Sequence, residues 1–418
     1  MQADMKILYH HRTRADDGQA VHIRSLQRAF RDLGHEVQEV GLVQQGGEQL
    51  HEDSASPESY KDDEKQESGS SWGWVARLPK FMLELAEFGY SGLARRRILT
   101  TGRSFKPDFI YERYAFGNAG GLLAAARLGV PFILEVNSPL VDELDKTRGL
   151  SLKRAARRIE LAVFRGATKV CVVTQVLGDI LIDMGVEPER ILVTPNGVHP
   201  GLFEYEQLGG REACRSRARR DLGLPTEPGP GELVLGFVGY FRDWHRLDLV
   251  IDLLALPGLE GLRLVIIGEG PAGEGLAAQA LQLGVQHRVH FPGSRRHDQI
   301  PELLTAFDIA LMPAINAYAS ALKLHEYMAA TLPVIAPDQP NLHEVVTNGE
   351  SALLVPSGDA VALEAAVRSL VTNPELRSEL GKNAARQIDK LGLTWRANGE
   401  RVVKCAQQLI DERDRPNR

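Results

Sequence analysis

A chain of 418 residues is long enough for two or three domains of ordinary size, and its 43% hydrophobic and 25% charged residues are those of a soluble globular protein. A net charge of −6 argues against a nucleic-acid partner, because nucleic-acid binders are usually basic. Three widely separated cysteines, Cys171, Cys214 and Cys405, form no C-x-x-C, which argues against a disulfide framework or a zinc site and suits a reducing cytoplasm. No secretory leader and no run long enough to span a bilayer can be read, so a cytoplasmic protein is expected.

Residues 7–9 read as a short buried strand. Asp16, Asp17 and Gly18 form a turn, and Val21, Leu26, Phe30 and Leu33 then recur at helical spacing up to Gly34. Residues 36–40 start a second strand. Gly18 thus stands at a strand-to-helix turn of a βαβ opening, where backbone can approach a phosphate closely. Residues 44–71 are acidic and nearly devoid of apolar side chains, which predicts a flexible loop. From Trp72 to Arg97, tryptophans, a helical apolar stripe and Arg95, Arg96 and Arg97 suit either an amphipathic helix packed on its own domain or a membrane interface. The basic run 153–158 reads as a solvated helix face, or as a second patch facing an anionic lipid surface.

Further strands are expected at 109–111, 131–136, 169–173 and 191–193, and a second series at 233–239, 262–267, 289–291, 309–312, 334–336 and 353–355. Strands alternating with helices imply mostly parallel sheets, so the fold class is α/β with two doubly wound, Rossmann-like domains and a ligand cleft between them. Polar residues just past strand ends are where such sheets build sites, which singles out Glu112, Arg113, Glu135 and Asn137. Residues 209–231 read as a linker or surface helix, and the tail from 394 as an amphipathic helix.

The densest stretch is 318–336, YASALKLHEYMAATLPVIA. A loop of small residues turns helical near Leu322, and Lys323 and Glu326, three apart, share one face of its first turn. Free amides and the positive end of the dipole attract anions there. The amides and Lys323 suit phosphates, and Glu326 suits sugar hydroxyls. A surface salt bridge between the two is the alternative. Gly268-Glu269-Gly270-Pro271-Ala272-Gly273 spells G-x-G-x-x-G after a strand, but no acidic residue follows about 20 positions on, so a dinucleotide-dependent oxidoreductase is not supported. H-E-x-x-H and a Walker A loop are absent too.

The string K-L-H-E-Y-M-A-A-x-x-P-V-I-A resembles the signature of family 4 glycosyltransferases, retaining enzymes of the GT-B fold. D-G-Q-A-V-H-x-R-x-L, the P-N-G-V turn at 195–198, G-F-V-G-Y at 236–240 and G-E-G-P at 268–271 are similar to other landmarks of that family. The resemblance implies domains at 1–200, on the acceptor side, and 201–393, binding a nucleotide-diphosphate sugar, with a helix at 394–418 crossing back to the first. It implies donor contacts at Gly18, Gly239, Gly268, Gly270, Arg295, Tyr318, Ala321, Leu322, Lys323 and Glu326. The reacting groups would be Lys323, Glu326, Arg242, Asn137 and Glu135. Many members carry a histidine where this chain has Asn137, an arginine and a lysine where it has Tyr240 and His245, and a first glutamate where it has Tyr318. Lys323 and Arg242 are the cations left to face a diphosphate. With no D-x-D pair in the chain, no metal and no cofactor is expected. The acceptor implied is a glycan or a lipid-linked glycan of the cell envelope, with residues 72–97 and 153–158 as membrane contacts at the inner face. A GT-B phosphorylase or epimerase, or a non-catalytic sugar-nucleotide-binding partner, are the other readings.

Overall fold

The computed structural model describes residues 4–13, 18–41, 79–227, 229 and 231–414. The acidic stretch 44–71 and Trp72, Trp74 and Leu78 of the proposed amphipathic run lie outside the described residues. In chain order the first elements are β1 (Lys6–His10), α1 (Gly18–Asp32), β2 (Glu36–Val40), α2 (Lys80–Phe105), β3 (Phe109–Arg113) and α3 (Gly120–Leu128). There follow β4 (Phe132–Val136), α4 (Leu140–Arg148), α5 (Lys153–Gly166), β5 (Lys169–Val172), α6 (Gln175–Asp183) and β6 (Ile191–Val193). A second series runs α7 (Arg211–Asp221), β7 (Leu233–Val238), α8 (Leu247–Leu254), β8 (Leu262–Ile267), α9 (Gly273–Gln282), β9 (Val289–Gly293) and α10 (Ile300–Leu304). It ends β10 (Ile309–Leu311), α11 (Leu322–Ala329), β11 (Val334–Pro337), α12 (Pro340–His343), β12 (Leu353–Val355), α13 (Ala360–Thr372), α14 (Pro374–Leu391) and α15 (Trp395–Asp414). All the expected strands are present.

The chain forms two compact units, Met1–Pro195 with Trp395–Arg418, and Asn196–Thr394. The division falls before residue 200 for a local reason. Asn196 is tied to Ser320, its amide donating to Ser320 Oγ at 3.0 Å and its side-chain Nδ2 to the Ser320 carbonyl at 2.7 Å. The amide of Val198 donates to the carbonyl of Leu393 at 3.0 Å. Asn196, Gly197 and Val198 of the P-N-G-V turn therefore belong to the second unit.

In the first unit six parallel strands lie in the order β2-β1-β3-β4-β5-β6. Their central members are apolar on both faces: every residue of β4 is buried, as a parallel sheet covered by helices requires. In α2 the buried stripe Tyr90, Ala94, Ile98 and Gly102 keeps a spacing of four, which carries the helix past residue 97 to a left-handed cap at Lys106. The closing helix α15 lies on α1. Trp395 sets its ring edge on His22 at 4.7 Å, and a Cβ at Gly399 would come within 3.0 Å of Leu33.

In the second unit six parallel strands lie in the order β12-β11-β10-β7-β8-β9. The stretch 209–231, read as a linker or surface helix, contains the helix α7, which buries Cys214, Ala218 and Arg219. Its Arg219 is buried, and Arg215 and Arg219 both donate to Asp308 just before β10, at 2.6 and 3.2 Å. Strand order reverses between β7 and β10, so the loops leaving these two strands part from each other at their carboxyl ends. Open α/β sheets bind ligands in that crevice. Helix α11 is fastened there. β7 runs past the end of its neighbour β10, and the amide of Val238, left without a strand partner on that side, donates to the hydroxyl of Tyr327 at 2.9 Å.

This bond holds α11 to the strand end, and both groups are buried. Tyr327→Phe strands a buried amide, so urea unfolding should show a loss of about 2 kcal/mol, within the usual 1–3 for such a group. An unchanged midpoint would mean that the bond is immaterial.

Candidate functional site

The switch point of the second unit gathers most of the expected donor residues. Past Val238 comes Gly239, whose φ of +132° is open only to glycine. A Cβ there would stand 3.0 Å from the Nζ of Lys323, so the missing side chain makes room for the ammonium. That ammonium also lies over the ring of Phe237, 3.8 Å from its centroid. Withdrawal from water pushes the pKa of Lys323 down to about 7, with the charge of Glu326 pulling the other way. Lys323 is therefore poised near its proton-losing range, and among the described residues it forms no ion pair.

The amides of Leu322 and Lys323 open α11 and have no partner within the helix. Ala321, in extended conformation, is the residue before it. Its carbonyl accepts from Leu324 N–H at 3.1 Å and from His325 Nδ1 at 2.8 Å, which fixes the first turn. The preceding loop is held by the Asn196–Ser320 pair and by Asn341, whose Nδ2 donates to the carbonyls of Asn316 and Ala319. Tyr318 is half-buried in this loop.

Lys323 and Glu326 form no ion pair with each other, which removes the salt-bridge reading. Glu326 is 6% exposed and its Oε1 is joined to Nε2 of His297 at 2.6 Å. His245, where the family pattern wants a lysine, brings no charge. Burial, then the field of Lys323, lowers its pKa to about 3. Its Nδ1 accepts from the amide of Arg242 at 3.1 Å, so the proton sits on Nε2, and its ring stacks on Trp244 at 3.7 Å. Arg242 is exposed, with its guanidinium over the ring of Tyr240 at 5.2 Å.

Gly268 and Gly270 have a structural reason of their own. A Cβ on Gly268 would meet the Gly239 carbonyl at 2.3 Å, and one on Gly270 the Phe241 carbonyl at 1.9 Å. The amide of Phe241 donates to the Glu269 carbonyl at 3.0 Å. The loops after β7 and β8 are thus laid backbone against backbone, and a ligand would meet main-chain groups rather than side chains. Arg295 is partly committed: its guanidinium donates to the carbonyls of Pro292 and Ser294 and lies 3.7 Å from Asp221.

In the first unit Glu135 is a hub, 1% exposed at the end of β4. Burial alone would raise its pKa, but His22, Arg113 and Asn137 reverse this and hold it well below the ordinary carboxylate range. Oε1 accepts from Arg113 and, at 2.6 Å, from Asn137 Nδ2. Oε2 accepts from Tyr111 at 3.0 Å and lies 3.2 Å from His22 Nε2. A carboxylate held by four donors is a scaffold that aims Arg113, Asn137 and His22, and is poorly placed to take a proton. Gly18 opens α1, next to residues 14–17, which lie outside the described residues. Sequence reasoning singled out neither His297, Phe237 and Asn341 as site residues nor His22 as a partner of Glu135, since each meets its partner only across the fold.

The model for "Glycosyl transferase 4-like domain" matches residues 17–197, and that for "Glycosyl transferases group 1" matches residues 225–387. A D-inositol 3-phosphate glycosyltransferase of Acidothermus cellulolyticus is 31% identical over 73% of this chain and 68% of its own length. The enzyme of that name from Stackebrandtia nassauensis is 29% identical over 73% and 69%. Among solved structures, Anabaena Alr3699/HepE in complex with UDP has a TM-score of 0.69 at 18% identity, covering 97% of this chain and all of that one. Sucrose-phosphate synthase from Thermosynechococcus elongatus has a TM-score of 0.71 at 19% identity, covering 98% and all of that chain.

Keeping a charged Lys323 withdrawn from water costs stability. Below pH 7 it is protonated in both the folded and the unfolded chain, and the cost is full. Between pH 7 and the ordinary lysine range near 10.4 the unfolded chain binds more protons, so stability rises with pH. Lys323→Met should therefore melt above the wild type at pH 6, by a margin that shrinks at pH 9. A lower melting temperature at both pH values would contradict the assigned burial cost.

Proposed function

The chain belongs to the group 1, family 4-like glycosyl transferases and is a glycosyltransferase of the GT-B fold; from that premise we propose that it moves a sugar from a nucleotide-diphosphate donor to a hydroxyl acceptor, with retention of configuration. The observation that carries the donor reading is the start of α11. Lys323 is held beside a glycine at the strand end, with helix amides next to it and a half-paired carboxylate one turn on. This set matches a diphosphate followed by a ribose. Anabaena HepE, similar in fold, was solved with UDP.

As the glycosidic bond breaks, negative charge grows on the leaving diphosphate. Lys323 and the amides of α11 face that charge, with Arg242 on the adjoining loop. A preformed donor set of this kind stabilises the transition state without reorganising. We assign the charge neutralisation to these groups rather than to a divalent ion, in keeping with a sequence that has no D-x-D pair. Retention follows from the family resemblance: attack on the face the leaving group departs from, with the leaving phosphate taking the acceptor's proton. Glu135, held by four donors, supports a mechanism that asks no protein carboxylate to act as base.

For the acceptor we propose a glycan or lipid-linked glycan of the envelope, met at the inner face of a membrane by a cytoplasmic enzyme. Support comes from α2, where Phe81, Met82 and Leu85 are exposed. Glu84 beside them accepts from the amides of Ser151 and Leu152 and so sets the basic start of α5 alongside. Among the described residues no helix is long and apolar enough to cross a membrane.

Thermal shift against UDP, GDP and ADP, with and without a chelator, tests the donor site. One diphosphate should raise the melting temperature by mass action, equally in both conditions. Lys323→Ala and Glu326→Ala should each weaken that ligand about 10-fold or more, the loss of a charged partner. Unchanged affinity in both variants would sink the assignment. Affinity should also fall above pH 7, because the diphosphate needs Lys323 protonated and binding must then draw a proton from solvent. A flat profile from pH 6 to 9 would contradict this.

A further inference from the structure

Glu326 and His297 stand on different elements and meet at 2.6 Å. The carboxylate belongs to the rigid first turns of α11. His297 opens a short turn, His297–Gln299, that leads into α10. That turn is pinned. The amide of Gln299 donates to the carbonyl of Arg296 at 3.0 Å, and the side-chain oxygen of Gln299 accepts from the amide of Arg296 at 3.2 Å. Behind it Ile300, Leu303 and Leu304 are buried. The histidine is therefore a donor mounted on a fixed base.

To bond a carboxylate, Nε2 must carry hydrogen. It engages Oε1, while Oε2 of Glu326 accepts no hydrogen bond from the described residues. The side chains are 37% exposed for His297 and 8% for Glu326, so the histidine covers the solvent side of the carboxylate. A glutamate free to turn would have to be ordered by its ligand, at a cost in entropy and in selectivity. Here one oxygen is fixed from the protein side and the other is left aimed.

We propose that His297 is a positioning residue for the donor: by holding one oxygen of Glu326 it directs the other at the ribose hydroxyls, and the preference for a ribonucleotide depends on it. The proposal rests on the nucleotide-sugar reading above. His297 acts through Glu326, the side chain it bonds.

The test is calorimetric titration of the full chain, His297→Ala and His297→Gln. The ligands are UDP, GDP and ADP, the 2′,3′-dideoxy counterpart of whichever binds, and inorganic pyrophosphate. Wild type should prefer the ribonucleotide by roughly 10-fold or more, because an unfilled buried acceptor is costly. His297→Ala should narrow that preference to within about threefold, because a glutamate released to turn must be ordered by its ligand. His297→Gln, which keeps a donor, should recover most of it. Pyrophosphate affinity should be the same in all three. A preference kept by His297→Ala, or an equal loss for every ligand including pyrophosphate, overturns the proposal and leaves the donor reading standing. Failure of the wild type to bind any of these nucleotides overturns both.

Discussion

An ammonium kept from water at the end of β7 is the constraint on which the second unit's site depends. Burying a cation without a close anion is costly, and the structure accepts that cost by shaping everything around it. Gly239 gives up its side chain so that Nζ of Lys323 fits, and Phe237 offers a ring face in place of water. Burial, and after it the charge of Lys323, lowers the pKa of His245 beside it. Tyr327 fastens α11 to the strand end, and the Asn196–Ser320 pair holds the loop that leads into the helix.

Two glutamates show how the number of donors sets chemistry. Glu135 sits at a strand end with all its lone-pair directions spoken for, and its role is to fix Arg113, Asn137 and His22. Glu326 is nearly as buried but has one oxygen held and one spare. The first is architecture, and the second keeps an acceptor to spare. No feature of residue type separates them; only their neighbours do. The same holds for the glycines at 268 and 270. They spell a dinucleotide motif, yet they are small because the Gly239 and Phe241 carbonyls lie against them.

Much of this was legible in the residues. Apolar runs of four to six bounded by turn residues marked each strand, because a parallel sheet buried on both faces tolerates little else. The change from loop to helix at Leu322 and the pairing of Lys323 with Glu326 on one turn were local and could be read from spacing. Helix ends were less legible. α2 runs to Phe105 because its buried stripe continues, and the inner face of α7 is fixed by Asp308, far along the chain, which claims two of its arginines.

The sequence by itself determined the alternation of strand and helix, the position of the helix start at Leu322 and the chemistry of its side chains, since these depend on residues within a turn or two of one another. Tertiary structure alone decided the strand order that opens the crevice between β7 and β10. It also decided that Glu326 answers to His297 and not to Lys323, that His22 supports Glu135, and that Asn196 joins the unit it precedes. Each of those is a meeting of residues far apart in the chain, and such meetings are fixed by how the sheets stack their strands, which no local pattern encodes.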